Sequence, residues 1–437
     1  MKKVFVSGFG CSLNLADTDT IRFFFEENHC VLTQNPFEAD VALVNTCAVK
    51  ERTENRMITF VKNLREKLPG KSKLIVYGCL ASVNPDRIVK EIPDSVVIEP
   101  SLSDLARVLG FREIDYSPSL NSVRSNPFVS IIPVSRGCLS HCSFCSVKKV
   151  WGHLKSYPVK GLVDRVKRDV ASGVKEFWLT GQDVGCYGFD IGTNLAFLLS
   201  EILNIVGDFR VRIGMSSPQH IIRIQGELLP LFVNPKLYRF LHIPIQSGSD
   251  SVLRLMRRPY TSAMVKKLVD NVRSVFPDMT FSTDVMVGFP GEMEGDFLDT
   301  LDLVRSCNFG VVNLSKYGDR NGADSAGFSG KISILDMKDR SRRFSSFFSE
   351  LALHSHESLL FQEHVVFFSE KGKYPHSSVG RLPNYVPVVV KGDCVGEWRK
   401  VRVAGAFTHY VEGMVLVPNS VSFDSSFAFG SSVATGF

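Results

Sequence analysis

Along the first hundred residues the apolar positions come in short dense runs, KVFVSGFGC (3–11), ADVALVNTC (39–47) and KLIVYGC (73–79), separated by polar, helix-like stretches. Brief runs rich in β-branched residues read as buried strands, and their alternation with helical segments predicts an open parallel sheet. Each run ends on a cysteine. Open parallel sheets build their sites at the carboxyl ends of strands, so Cys11, Cys47 and Cys79 are expected to meet in one crevice.

The pattern repeats from position 128. Strand-like runs occur at FVSIIPV, EFWLT, RVRIG, RFLHIPI, TFSTDVMV and GVVNLSK, with amphipathic segments such as VKGLVDRVKRDVAS and TSAMVKKLVDNVRSVF between them. That order predicts about six βα units, a parallel arrangement short of the eight of a full barrel. Polar or glycine-rich stretches follow the runs: SRGC, TGQD, MSSP, QSGSD, GFPGE and KYGDR. Residues 335–360 read as a charged helical bridge, and YVPVVV, WRKVRVAG and HYVEGMVLV as strands of a small antiparallel barrel. The expected class is therefore α/β, in domains spanning 1–113, 128–355 and 356–418. A linker rich in Ser, Pro and Asn (114–127) and a low-complexity Ser/Phe/Gly tail (419–437) complete the chain, and no internal repeat is evident.

Composition narrows the class. The 437 residues are 44% hydrophobic and 22% charged, a globular balance. The opening MKKVFVSGFG has too short an apolar run for a secretory leader, and no stretch approaches the roughly 18 apolar residues of a membrane span, so a cytoplasmic protein without a membrane partner is expected. Ten cysteines in such a chain point to metal ligation or redox chemistry rather than disulfides. A formal charge of +6 is compatible with a polyanionic partner.

The stretch RGCLSHCSFC places Cys138, Cys142 and Cys145 together and then supplies no cysteine before Cys186. Closed zinc sites take four ligands, which His141 or His153 could complete. A cubane iron–sulfur cluster on three thiolates leaves one iron open, and the amino and carboxylate groups of S-adenosylmethionine suit that vacancy. The spacing favours the cluster; zinc stays as the alternative.

Several other features have plainer readings. SGFG at 7–10 lacks the third glycine of a dinucleotide loop, having Leu13 there. Cys30, Cys186, Cys307 and Cys394 read as small buried hydrophobes. Ser247 to Asp250 read as helix capping, and Glu292 and Glu294 as acids complementing a helix dipole. In the terminal barrel Lys373, Arg381, Arg399, Lys400 and Arg402 interleave with Tyr385, Trp398 and Tyr410, a mixture suited to phosphate contacts and base stacking. Arg254, Arg257, Arg258 and Tyr260 form a second candidate for RNA contact.

The Cys138, Cys142 and Cys145 spacing resembles that of radical S-adenosylmethionine enzymes, and GCSLNLADT, NTCAVKERTE and YGC look like the amino-terminal domain of methylthiotransferases. Similarity continues through WLTGQDVGCYGFDIGTNL, HIPIQSGSDSVLRLMRRPYT and TDVMVGFPGE, and the last barrel resembles a TRAM domain, an RNA-binding module. QDVGCYGFDIGTNL is most similar to the archaeal and eukaryotic branch acting on N6-threonylcarbamoyladenosine beside the tRNA anticodon. The resemblance implies two 4Fe-4S clusters, one on Cys138, Cys142 and Cys145 and one on Cys11, Cys47 and Cys79. It implies S-adenosylmethionine, with Gly181 and Gln182 near its amino group and Ser216 and Gln246 as further contacts. The reaction would replace adenine C2–H by C2–SCH3, with tRNA, an electron donor and a sulfur source as partners. Isopentenyladenosine or a ribosomal protein are the rival substrates, and a non-catalytic zinc-stabilised RNA-binding protein is the rival of another class. Two stretches depart from the pattern: Asp319 to Ala323 keeps only the arginine and glycine of a proline–arginine–x–glycine–threonine run, and LKSYP stands where arginine is commoner. Eukaryotic members often end in a membrane anchor, which the tail lacks.

Overall fold

The computed structural model describes residues 1–48, 51–114 and 123–416; most of the expected linker and the whole 419–437 tail lie outside them. The first three apolar runs are strands. β1 (Lys3–Gly8), β2 (Val31–Thr33), β3 (Val41–Thr46), β4 (Lys73–Gly78) and β5 (Ser95–Ile98) form one parallel sheet in the order β2-β1-β3-β4-β5. β3 is buried at every position because helices cover both faces. Val41 and Leu43 pack with Phe24, Phe25 and Leu105 on one side, while Ala42 and Val44 pack with Ile58, Val61 and Leu80 on the other. The strand order reverses between β1 and β3, the switch point where open α/β sheets form their crevice, and Cys11 and Cys47 flank it.

The central domain is a partial barrel of six parallel strands. β6 (Val129–Pro133) leads into a two-stranded hairpin, β7 (Ser135–Arg136) with β8 (Lys155–Ser156), which brackets the 138–145 loop. β9 (Glu176–Thr180) and β10 (Arg210–Ile213) complete one three-stranded sheet, and β11 (Phe240–His242), β12 (Thr280–Val287) and β13 (Val311–Lys316) form another. A bridge between Val211 and Leu237 and the Ser216 N–H to His242 carbonyl bond join the two. Phe177, Leu179, Ile213, Leu241 and Phe281 fill the interior against Leu162, Leu198, Ile221 and Leu268 of the outer helices.

The helix Ile334–Glu357 crosses to a closed barrel of β14 (Glu363–Lys371), β15 (Ser377–Arg381), β16 (Pro387–Lys391), β17 (Trp398–Ala406) and β18 (Val411–Val415), in the order β14-β15-β16-β18-β17. β15, SSVGR, carries too little β-branched surface to stand out in sequence. It is a strand because Gly380 lets it press against β14, where an added Cβ would lie 2.6 Å from the Phe367 carbonyl oxygen.

This barrel docks on the central domain and corrects part of the expected RNA surface. Tyr385 packs on Tyr238 and Phe240 with ring centroids 4.9 and 4.7 Å away, and the Arg381 guanidinium lies 5.5 Å from the Tyr385 ring. Trp398 sits beneath Arg210 at 4.6 Å. Arg381, Tyr385 and Trp398 are therefore interface residues. Lys400 and Arg402 pair with Glu363, and Arg399 with Glu397, while Lys373 is exposed and Tyr410 stacks on Phe407.

Three smaller expectations also change. Glu292 does not sit in its helix's first turn; it folds back to accept from the Gly288 and Phe289 amides and to pair with Arg340, while Glu294 and Asp296 occupy that turn. Ser249 is the N-cap residue of the helix Asp250–Leu255 but makes no capping bond, because its hydroxyl donates to Asp296. Cys307 and Cys394 are buried as expected, whereas Cys30 is only half-buried. No described helix is long and apolar enough to cross a membrane.

Candidate active site

The first cysteine triplet is assembled by three strand ends. Cys11 opens the helix Ser12–Glu27, Cys47 follows β3 with its amide donating to Met57 Sδ at 3.2 Å, and Cys79 begins the short helix after β4. Gly10, at φ +113°, passes so close to Cys47 that a Cβ there would lie 2.8 Å from its Sγ. Cys11 and Cys47 share a hydrogen bond, which together with burial holds the Cys11 thiol above its ordinary range. Burial pushes Cys79 up to about 12, partly opposed by a hydrogen bond with the Trp151 indole.

The second triplet lies on the loop bracketed by the β7–β8 hairpin. Gly137, at φ +74°, lets the loop start directly against the His153 carbonyl, and the Cys138 amide donates to the Gly152 carbonyl at 3.3 Å. Ser143 fastens the middle, its amide donating to the Met256 carbonyl (3.2 Å) and its hydroxyl to that of Leu255 (2.8 Å). The Cys138 sulfur is hydrogen-bonded by Cys186 and accepts from the Ser140 amide at 3.3 Å, which brings the thiol down to about 7 against the cost of burial. Cys186 is thus a buried neighbour of a ligand, beyond the packing role its size suggested; its own Sγ donates to the Asp183 carbonyl at 3.1 Å. Arg258, expected on an RNA-facing surface, is buried and donates from Nη1 to Cys142 Sγ at 3.0 Å. Tyr260 is buried behind it.

The histidines considered for zinc face each other, His141 to His153, at 6.4 Å between ring centroids, with Lys148 Nζ 3.3 Å from the His141 ring nitrogens. Among the described residues, the group with ligand atoms drawn within 4.8 Å of one another is Asp183, Cys186 and His220. Neither cysteine triplet meets that spacing. Three thiols at each of two strand-end crevices fit clusters held by three ligands.

Beside the second triplet, the β9 loop carries an unusual amide. Among the described residues neither Nε2 nor Oε1 of Gln182, both buried, has a hydrogen-bond partner, where the plainer reading expected a solvated turn. A buried amide in that state is costly unless a ligand completes it, which suits the amino acid end of S-adenosylmethionine. Gly181 approaches Ser135, whose Oγ would stand 3.2 Å from an added Cβ. Ser216 is fully buried and its hydroxyl donates to the Gly214 carbonyl at 3.2 Å, so it shapes the wall beneath Gly185. Gln246 is half-buried at φ +67°, its backbone bonded on both sides to β12.

The two sites share one junction. Ser12, next to Cys11, hydrogen-bonds Thr180, next to Gly181, at 3.0 Å. Arg136 pairs with Asp17 of the first domain at 2.5 Å and stacks 4.4 Å from the centre of the Trp151 ring, which in turn bonds Cys79. Burial raises the Asp17 carboxyl above its usual range even though Arg136 opposes this. Across the same boundary Arg320 Nη1 reaches Glu54 Oε2 at 3.1 Å and Asn321 donates to the Val83 carbonyl at 3.0 Å. The loop that departs from the expected proline and threonine is therefore an interdomain clasp.

Sequence reasoning expected the six cysteines as ligands and Gln182 as a cofactor contact, read Arg258 and Tyr260 as RNA contacts, and did not single out Trp151 or the Asp17–Arg136 pair. A parallel partial barrel with a three-cysteine loop after its first strand defines a radical S-adenosylmethionine enzyme. The family model described as radical SAM superfamily matches residues 132–304, and the one described as uncharacterized protein family UPF0004 matches residues 3–99. The fold is similar to that of the radical S-adenosylmethionine methyltransferase TsrM from Kitasatospora setae, solved with cobalamin and a 4Fe-4S cluster bound, at a TM-score of 0.54 and 13% identity over 74% of this chain and 77% of that one. The chain is 32% identical to the probable threonylcarbamoyladenosine tRNA methylthiotransferase of Pyrococcus horikoshii over 95% of its own length and 100% of the relative's. It is 31% identical to the threonylcarbamoyladenosine tRNA methylthiotransferase of Xenopus laevis over 94% of its own length and 77% of the relative's. The chain belongs to the threonylcarbamoyladenosine tRNA methylthiotransferase family.

Proposed function

We propose that the protein methylthiolates N6-threonylcarbamoyladenosine beside the tRNA anticodon, replacing adenine C2–H with C2–SCH3. The observation that carries this reading is the Ser12–Thr180 contact, because it ties the crevice of one cysteine triplet to the loop that borders the other. Cys138, Cys142 and Cys145 would hold one 4Fe-4S cluster, Cys11, Cys47 and Cys79 a second, and Gly181, Gln182, Ser216 and Gln246 would line the S-adenosylmethionine site. When bound, these groups supply radical chemistry and the sulfur and methyl of the product, which no side chain here could supply.

The chain's own work is positional. Gln182 offers a donor and an acceptor that have no other partner among the described residues, so its amide can orient the amino acid end of the cofactor. Asp17, Arg136 and Trp151 close the boundary between the domains and exclude water from a site where reactive species must be protected. The Arg320–Glu54 and Asn321–Val83 contacts fix the separation of the two thiol sets. Exposed Lys373 of the terminal barrel is suited to tRNA phosphate. The protein acts in the cytoplasm, with electrons and sulfur delivered by separate donors.

The test is anaerobic reconstitution of wild-type, Cys142→Ala and Cys47→Ala protein with cofactor, reductant and sulfide, followed by nucleoside mass spectrometry of tRNA. Cys142→Ala should abolish deoxyadenosine formation, while Cys47→Ala should keep cofactor cleavage and lose sulfur transfer. Equal residual methylthiolation in both variants defeats this division, unmodified tRNA from the wild type defeats the substrate, and a colourless zinc protein defeats the enzyme.

A further inference from the structure

Arg258 presents a problem that its surroundings solve in an unexpected way. The residue is 8% exposed, and among the described residues no carboxylate pairs with it. A buried guanidinium without an anionic partner is strongly disfavoured. Its three hydrogen bonds run instead from Nε to the Tyr260 hydroxyl (2.7 Å), from Nη2 to the Pro244 carbonyl (3.0 Å) and from Nη1 to Cys142 Sγ (3.0 Å). Tyr260 is held in turn, its hydroxyl donating to the Pro244 and Ile245 carbonyls. Two neutral oxygens anchor the guanidinium, and the one group able to carry negative charge against it is the Cys142 sulfur.

We infer that Arg258 is a positioning residue that sets the reduction potential of the cluster on Cys138, Cys142 and Cys145, by directing a fixed, buried positive charge at one ligand sulfur. This rests on the reading that the triplet holds a 4Fe-4S cluster. Reduction adds one electron to the cluster, and a cation beside a ligand sulfur stabilises the more negative, reduced form. Burial limits the screening that would mute such a charge at the surface. The Tyr260 hydroxyl fixes the side chain, so the charge cannot swing away when the cluster is oxidised. A residue expected to touch RNA thereby acts on electron uptake.

The test uses full-length holoprotein carrying Cys11→Ala, Cys47→Ala and Cys79→Ala, so that the remaining reduced-cluster EPR signal belongs to the second triplet. Redox titration without substrate should show Arg258→Gln shifted to more negative potential by about tenfold in the reduction equilibrium, or about 59 mV for one electron. Arg258→Lys should stay close to the parent, and Tyr260→Phe should shift the same way by less. A potential unchanged in Arg258→Gln at full iron content overturns the inference, as does an Arg258→Lys shift as large as that of Arg258→Gln. Should Arg258→Gln fail to retain iron, Tyr260→Phe decides: a negative shift supports the inference and no shift overturns it. A parent protein that forms no cluster signal would instead defeat the reading of the triplet itself.

Discussion

Replacing Gly10 by alanine should empty one cysteine triplet and spare the other. An added Cβ at Gly10 would stand 2.4 Å from Cys47 Cβ and 2.8 Å from its Sγ. Carbon atoms in contact rest at about 3.5–4.0 Å, so Cys47 would have to retreat by roughly 1 Å, several times the ~0.2 Å that metal–ligand distances tolerate. The backbone adds a separate cost, because φ +113° places a side chain in a conformation worth about 1–3 kcal/mol of strain. Gly110→Ala separates the two effects: Gly110 also has positive φ, +66°, yet nothing lies within 4 Å of its added Cβ. After anaerobic reconstitution, Gly10→Ala should bind about four irons where the wild type binds about eight, with cofactor cleavage retained and methylthiolation lost. Gly110→Ala should keep about eight irons while losing about 1–2 kcal/mol in urea unfolding. Full iron and full methylthiolation in Gly10→Ala would refute the placement of Cys47, and equal iron loss in both variants would show that strain, not the clash, is responsible.

Other outcomes follow from contacts away from the thiols. Asp17→Asn removes the charge that Arg136 meets across the domain boundary, at a cost of about 2 kcal/mol, less than a fully buried pair because Arg136 keeps its bond to Tyr157. Methylthiolation should fall about 10–100-fold while deoxyadenosine formation persists, since small misplacements cost that much; equal losses in both assays would contradict the boundary's role. His356 is buried, with Nδ1 donating to the Phe407 carbonyl, and burial depresses its pKa below 6.5 even though that bond opposes the shift. The unfolded chain then binds more protons than the folded one below pH ~6.5, so stability should fall as pH drops from about 6.5 to 5, and His356→Gln should flatten that slope in thermal melts. Parallel slopes for the two proteins would refute it. Tyr385→Ala should lower stability by about 2 kcal/mol and leave the salt dependence of tRNA binding unaltered, whereas Lys373→Ala should reduce the log–log salt slope by about 0.9; a Tyr385 effect on that slope would restore it as an RNA contact.

What the sequence made legible was whatever is encoded locally. The runs ending at Cys11, Cys47 and Cys79 announce strands because buried parallel strands are apolar throughout, as β3 is, and Cys138, Cys142 and Cys145 announce a ligand set because they share one loop. Arg258 was read as an RNA contact because a basic run such as MRRPY looks the same on a solvated helix and in a buried turn. The difference is made by Arg257, whose φ of +55° turns the chain so that Arg257 points out to Asp324 while Arg258 points in to Cys142. Tyr385, at φ +68°, is similarly turned onto Tyr238 and Phe240. A side chain's direction after such a residue has no periodicity from which to be read, and the partners are distant in sequence, Cys142 for Arg258 and, in another domain, Tyr238 and Phe240 for Tyr385.

The geometry of the junction follows from the parallel sheets rather than from any one contact. In both the N-terminal sheet and the partial barrel the chain leaves every strand at the same edge, so all loops that could carry ligands crowd one side of each domain. Bringing those two edges together is the arrangement in which Ser12 meets Thr180, Asp17 meets Arg136 and Trp151 meets Cys79. The buried, charge-paired boundary thus fixes the register of two sites that no single domain could build.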